Sequence, residues 1–261
     1  MAKFCSLYSS SSGNCTYIGS SSAGILIDIG VSAKRAEAAL DAIDVDPRAV
    51  KAIFITHEHS DHIQGVRVFA SRYGIPVYAT RGTITGMFDA GAVNEKVDVR
   101  ELEGETEAAG MLITPFATSH DARQSCGYTV VTADGKKTAV CTDTGIITDG
   151  ILDAICGSEL ILLESNHDEG MLRLGPYPYH LKRRILSDMG HLSNLVCAET
   201  AVRLVSSGTT RLYLGHLSRE NNLPPLALET TRSALKIAGA EEFSDYLLAL
   251  AEPDNPVLTT F

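Results

Sequence analysis

"IFITHEHSDHIQG", Ile53 to Gly65, carries an apolar run straight into His57, Glu58, His59, Asp61 and His62. "AIFIT" reads as a buried strand, and the polar cluster begins where it ends. In open α/β architectures ligand sites gather in the loops beyond strand ends. His57 and His59 are two positions apart, so from an extended turn they point the same way. Asp61 and His62 fall at the start of a helix that Ser60 can cap, with Ile63, Val66, Phe69 and Ala70 turned inward. A packed core has no use for such a cluster, whereas two ligand groups a few residues apart can serve two ions. The metalloprotease helix H-E-x-x-H is excluded, because Asp61 stands where its second histidine would be.

Working outward, further ligand types recur in the same setting. His120 closes "MLITPFATSH", Asp143 lies in "KKTAVCTDTG" and His216 closes "RLYLGH". Each follows an apolar run that suits a strand. Other such runs are Lys3–Leu7, Thr16–Ile18, Gly24–Ile29, Val97–Leu102, Gly127–Thr132 and Leu160–Leu163. Between them lie helical patterns. Ser32 can cap one with Ala36, Leu40 and Ile43 on one face, Thr148 another, and Ser193 or Asn194 one running to Gly208. This is neither strict βαβα alternation nor all-β. It predicts a layered α/β sandwich of two mixed sheets with helices outside.

Composition limits the function. The chain has 261 residues, is 44% hydrophobic and 21% charged, and carries a formal charge of -10. A general nucleic-acid-coating role needs a basic surface and is disfavoured, while local contact with nucleic acid is not. The start "MAKFCSLYSSSSGNC" lacks a signal pattern, and no apolar run nears the ~18 residues of a membrane span. The six cysteines are scattered without a C-x-x-C pair, which fits reduced, packed thiols in a cytoplasm. No linker or repeat divides the chain, so one domain over 1–261 is expected.

The pattern H-x-H-x-D-H, then a lone His, then Asp in "TDTG", then a late His resembles the metallo-β-lactamase superfamily, and "GILIDIG" with Asp28 resembles its first motif. The segments "SSSSGNCTYIG", "LLESNHD", "GPYPYHLKRRILSDMGHLSN" and "LGHLSRENN" resemble the YycJ/WalJ-type metallohydrolases within it. The resemblance implies a four-layer αββα sandwich and two divalent ions. His57, His59 and His120 would hold one ion. Asp61, His62 and His216 would hold the other, with Asp143 bridging and Asp28 orienting a ligand. It also implies DNA as substrate, 5′-to-3′ exonuclease action and a role in mismatch repair. Two departures narrow the branch: 261 residues leave no room for a β-CASP insertion, and no Gly/Pro/basic insertion suggests a protruding transfer-RNA-binding arm.

A pair of ions suits phosphodiester hydrolysis but equally thioesters and lactones, and the His/carboxylate set fits Zn, Mn or Fe. Lys182, Arg183 and Arg184 can grip a phosphate backbone. Tyr177 and Tyr179 fit packing in a proline-rich loop better than base stacking. Asn14 and its serine neighbours make a turn whose amides can approach an anion, and Ser193 in "GHLSN" is a further expected substrate contact. Asp61 is expected to act in catalysis as well as in binding. Glu164, ending "ELILLE", and His191, ahead of the helix near Ser193, are expected to make a carboxylate-oriented histidine that can protonate a leaving alkoxide, with His167 and His180 as the rival donors. The alternatives are a small-molecule hydrolase on the same ions, acting on a thioester, lactone or cyclic nucleotide, and a non-catalytic metal-binding module.

Overall fold

Leu160–Glu164 is buried at every position. Leu160 and Leu162 enter one apolar cluster while Ile161 and Leu163 enter another, as the period-two alternation of a strand requires. Ile25 and Ile27 join the first of these clusters, and Leu26 points the other way into a third. A strand covered on both faces reads as a continuous apolar run, which is why these segments stand out in the sequence.

The structure, a computed structural model, describes residues 2–260. Strands are numbered in chain order. One seven-stranded sheet runs β14 (Val257–Thr260), β1 (Lys3–Ser10), β2 (Gly13–Gly19), β3 (Gly24–Ile27), β4 (Val50–Phe54), β5 (Val77–Ala79), β6 (Val99–Glu101). The other, also seven-stranded, runs β13 (Leu247–Leu250), β12 (Arg211–Gly215), β11 (Leu160–Glu164), β10 (Lys137–Cys141), β9 (Cys126–Val131), β8 (Met111–Ala117), β7 (Thr106–Ala108). Both sheets are mixed. β3 to β6 pair in parallel in the first, and β10 to β13 do so in the second. Between the sheets Phe54 stacks on Tyr78 with centroids 5.1 Å apart and meets Tyr128 edge-on at 5.6 Å.

Helices α1 (Ala33–Asp41), α3 (Val66–Tyr73) and α4 (Arg81–Asp89) cover the first sheet, and α5 (Asp149–Ile155), α8 (Asn194–Ser206) and α9 (Pro224–Ile237) cover the second. The architecture is the expected αββα sandwich. Ser32, Thr148 and Ser193 cap α1, α5 and α8 through bonds from the amides of Arg35, Ile151 and Val196. The helix expected from Ser60 onward is instead two pieces, α2 (Ser60–Ile63) and α3, and His59 rather than Ser60 occupies the N-cap of α2. The reason is Gly65. Its amide donates to Ile29 O at 2.8 Å, and a Cβ there would lie 2.2 Å from Val31 O. The chain must therefore bend against the segment after β3.

Gly30 permits a second close crossing. A Cβ on it would lie 1.5 Å from Asp61 O and 2.6 Å from Asn14 N, both backbone atoms that cannot swing aside. Gly30→Ala is expected to destabilise the fold by about 1–3 kcal/mol, the usual cost of overpacking, read as a lower denaturant midpoint at unchanged slope. An unaltered midpoint would show that this crossing relaxes freely.

Candidate metal centre

The parallel strands end at one edge of each sheet, and the polar residues emerge there. Asp28 follows β3, Thr56 to His62 follow β4, Asp143 follows β10, Glu164 ends β11, and His216 follows β12. Asp28, Asp143 and His216 have φ of 60°, 57° and 55°. Non-glycine residues seldom occupy this left-handed region, and doing so costs on the order of 1–3 kcal/mol each. At all three places the backbone turns sharply as it leaves a parallel strand, and the side chain is buried in the cleft between the sheets.

Six of the eight histidines gather there. His57, His59 and His120 each present a nitrogen within 4.8 Å of the others, and Asp61, His62 and His216 form a second such group. Asp143 lies between them. Its Oδ2 is 3.4 Å from His62 Nε2, and its Oδ1 is 3.8 Å from His120 Nε2. A third group of Asp143, Glu164, His191 and His216 meets the same limit. Glu164, however, is already spent. Its Oε1 accepts from His191 Nδ1 at 2.8 Å and His216 Nδ1 at 2.9 Å, and its Oε2 accepts from the Thr144 and Leu192 amides at 3.0 and 3.2 Å.

Hydrogen bonds to the far ring nitrogens choose which atom faces inward. Asp28 Oδ2 holds His62 Nδ1 at 2.8 Å, so His62 turns Nε2 to the centre. Gly190 O holds His120 Nδ1 at 2.9 Å to the same effect. Thr56, which no motif marks, donates Oγ1–H to Asp28 Oδ2 at 2.8 Å and lies 3.0 Å from His57 Nδ1. Its only sequence signal is its place between strand and first histidine.

A family model described as the beta-lactamase superfamily domain matches residues 24–217. The chain belongs to that superfamily. A Streptococcus pneumoniae protein named exodeoxyribonuclease WalJ is 39% identical over 97% of this chain and 95% of its own length. A Bacillus anthracis protein named exodeoxyribonuclease YycJ is 37% identical over 90% of each. Among solved structures, that of Zn(2+)-bound PqqB from Methylobacterium extorquens superposes with a TM-score of 0.72 at 16% identity, covering 98% of this chain and 99% of that one. This last likeness speaks for the fold alone.

The electrostatics of this beta-lactamase-superfamily site call for cations. Burial opposes a charge on His62, yet Asp143, Asp28 and Asp61 outweigh it and hold its pKa well above the ordinary value. Burial likewise opposes a charge on His216, but Asp143, with Asp61 and Glu164, pushes its pKa up to about 10. Burial holds His57 and His120 low, in the neutral form a ligand needs. Asp143 Oδ2 and His216 Nε2 are buried without any hydrogen-bond partner. Orphaned polar atoms in a fold are rare, and these two belong to the residues a divalent ion would use. The donor set fits divalent-ion binding.

The expected substrate contacts are redistributed. Asn14 Nδ2 lies 3.3 Å from Asp61 Oδ2 and 3.1 Å from His62 Nε2, so it braces two candidate ligands instead of facing open solvent. Ser193 Oγ is committed to its helix cap. On α7 (Tyr179–Ile185), Lys182 Nζ donates to Arg173 O at 2.8 Å and Arg183 lies over the Tyr179 ring. Only Arg184 turns to the centre, with Nη2 2.8 Å from Asp121 Oδ1 and Nε on the other oxygen. Tyr179 is 76% exposed, which overturns the expectation that it packs in its loop, because α7 starts at this residue and presents it outward. His180 is exposed, and His167 is buried beside Ser193. Among the described residues no helix is long and apolar enough to cross a membrane.

A metal ligand must give up its proton. The pKa of His216 is pushed up to about 10 and that of His62 well above its ordinary value, so in the chain alone both rings favour the protonated form. Zn²⁺ binding is therefore expected to release protons at pH 7 and to tighten as pH rises. Calorimetry in buffers of different ionisation enthalpy measures the release. Zero proton release would contradict this electrostatic picture.

Proposed function

We propose that the chain is a metal-dependent exodeoxyribonuclease. In this reading one ion is held by His57, His59 and His120 and a second by Asp61, His62 and His216, with Asp143 between them. The observation that carries it is the pairing of two three-ligand groups with a separate histidine, His191, oriented by Glu164 2.8 Å away. Relatives of matching length named exodeoxyribonucleases support the DNA substrate. The 5′-to-3′ direction and a place in mismatch repair rest on the branch resemblance. No cysteine is among the donors, which suits Zn, Mn or Fe. The cysteines are free and a cytoplasmic setting fits them.

Divalent ions bound here would supply Lewis acidity and lower the pKa of the attacking water. The chain's own groups do the rest. Asp61 has a side chain 22% exposed against 3% for Asp143, so it is the ligand carboxylate able to orient water arriving from solvent. His191 donates Nδ1–H to Glu164, which orients the ring, and its imidazolium form carries on Nε2 the second proton that the departing oxygen takes. Arg184 stands beside the ligand His120 through Asp121 and is the basic side chain suited to a scissile or neighbouring phosphate.

His191→Ala is the cleaner test of the proton donor, because Glu164 also holds His216 and its removal would disturb both. The variant is expected to keep its metals, by elemental analysis, and to lose about 10²–10⁴-fold in DNA turnover. Bis-p-nitrophenyl phosphate, with a leaving group that needs little protonation, should be spared. Equal loss on both substrates, or loss of metal, would refute the assignment.

Arg184→Ala, built on the His191→Ala background to prevent turnover, is expected to weaken DNA binding and flatten its log–log salt dependence by about one unit. Lys182→Ala and Arg183→Ala should change the slope less. If all three behave alike, the basic run acts as a general field.

A further inference from the structure

The metal centre has two rims. His191 and Glu164 occupy one, against His120 and His216, with ring centroids 4.9 and 5.3 Å from His191. On the rim formed by His59 and Asp61 opens a cavity of about 560 Å³, closed by Ser11 and Ser12 of the β1–β2 turn, Gln64 after α2, and Ala90 to Ala92 after α4. That volume falls within the range of small-molecule sites. Among the described residues no lysine or arginine lines it, while Glu58 and Asp61 do. A second phosphate is therefore disfavoured inside it, and a neutral group with hydrogen-bonding edges is favoured.

Phosphodiester hydrolysis assigns the two rims different partners. Water adds to phosphorus, and the bond from phosphorus to the leaving oxygen breaks, its electron pair going to that oxygen. The oxygen takes the proton of His191, and the proton lost by water passes to solvent. The leaving nucleoside must then stand at the His191 rim. In an in-line displacement water faces the departing oxygen, and the nucleoside that keeps the phosphate is held through an equatorial oxygen, so it extends sideways, away from the His191 rim. We infer that the cavity beside His59 and Asp61 seats this phosphate-retaining nucleoside, with its sugar and base among Ser11, Ser12, Gln64 and Ala90. This rests on the nuclease reading and adds to it a subsite that selects nucleotides over simple phosphodiesters.

Ala90 and Gln64 are exposed residues on different walls of the cavity, so Ala90→Trp and Gln64→Trp can each fill it without touching the core. The probes are the p-nitrophenyl esters of thymidine 5′-phosphate and thymidine 3′-phosphate, whose nucleoside stays on phosphorus when p-nitrophenolate leaves, with bis-p-nitrophenyl phosphate as reference. With the metal-loaded enzyme, each variant is expected to lower the kcat/KM ratio of at least one thymidine ester to the reference about tenfold. The loss should lie in KM, and retention of thymidine 5′-monophosphate in equilibrium dialysis should fall in parallel. Should DNA and both esters be cleaved normally while the ratios and dialysis stay unchanged in both variants, the cavity assignment is wrong and the nuclease reading stands. Should the loaded wild-type enzyme cleave no phosphodiester at all, the nuclease reading fails and this inference falls with it.

Discussion

Everything at the centre depends on how the backbone leaves the parallel strands. β3 and β12 hand over directly, and β10 after Thr142, to a residue in the left-handed conformation: Asp28, His216 and Asp143. A strand continuing straight would carry the next side chain past the cleft. The left-handed turn bends the chain there, and all three side chains are buried. It is a strained choice for a residue with a Cβ, and three such turns around one cleft must be held by their neighbours. The neighbours are visible: Asp28 accepts from the amide and hydroxyl of Thr56, and the His216 amide donates to Ser9 Oγ at 2.8 Å.

Charge balance is the second constraint, and it works against folding without cations. Asp28, Asp61, Asp143 and Glu164 come together at the edge of an apolar sandwich. Burying carboxylates is unfavourable unless each finds a positive partner. In the chain alone, protons on His62 and His216 serve that purpose, which is why their pKa values rise while burial alone would depress them. A divalent cation can replace those protons. The same electrostatic demand thus explains both the raised histidines and the fitness of the site for metal.

Much of this could be read from the chain because the decisive signals are local. A doubly covered strand is an uninterrupted apolar run, and a ligand at its end is the first polar residue after it. That logic locates His57 to His62, Asp143, Glu164 and His216. It fails where structure comes from contacts distant in sequence. β5, β7, β13 and β14 are only three or four residues long, too short to show a period, and exist because a longer neighbour offers them pairing. The split between α2 and α3 depends on Gly65 lying against Val31, which helix periodicity cannot reveal. Thr56 and Asp121 have no motif of their own, and their importance lies in what they touch. The basic run was legible as charge, but which of its members faces the centre is decided by the pitch of α7 and by Asp121.

Glu164 ties these strands of argument together. One of its oxygens accepts from both His191 and His216, and the other accepts from two backbone amides. Four donors hold a buried carboxylate ionised, so its pKa is driven below the ordinary range although burial pushes the other way. A single oxygen therefore shares its charge between a proposed ligand and a proposed proton donor. Strengthening one bond weakens the other. Were His216 to lose its Nε2 proton to an ion, its remaining N–H would still point at Glu164, and the carboxylate would keep its charge beside His191. His216 and His191 are coupled through that oxygen, so the carboxylate that orients the proposed ligand also orients the proposed donor.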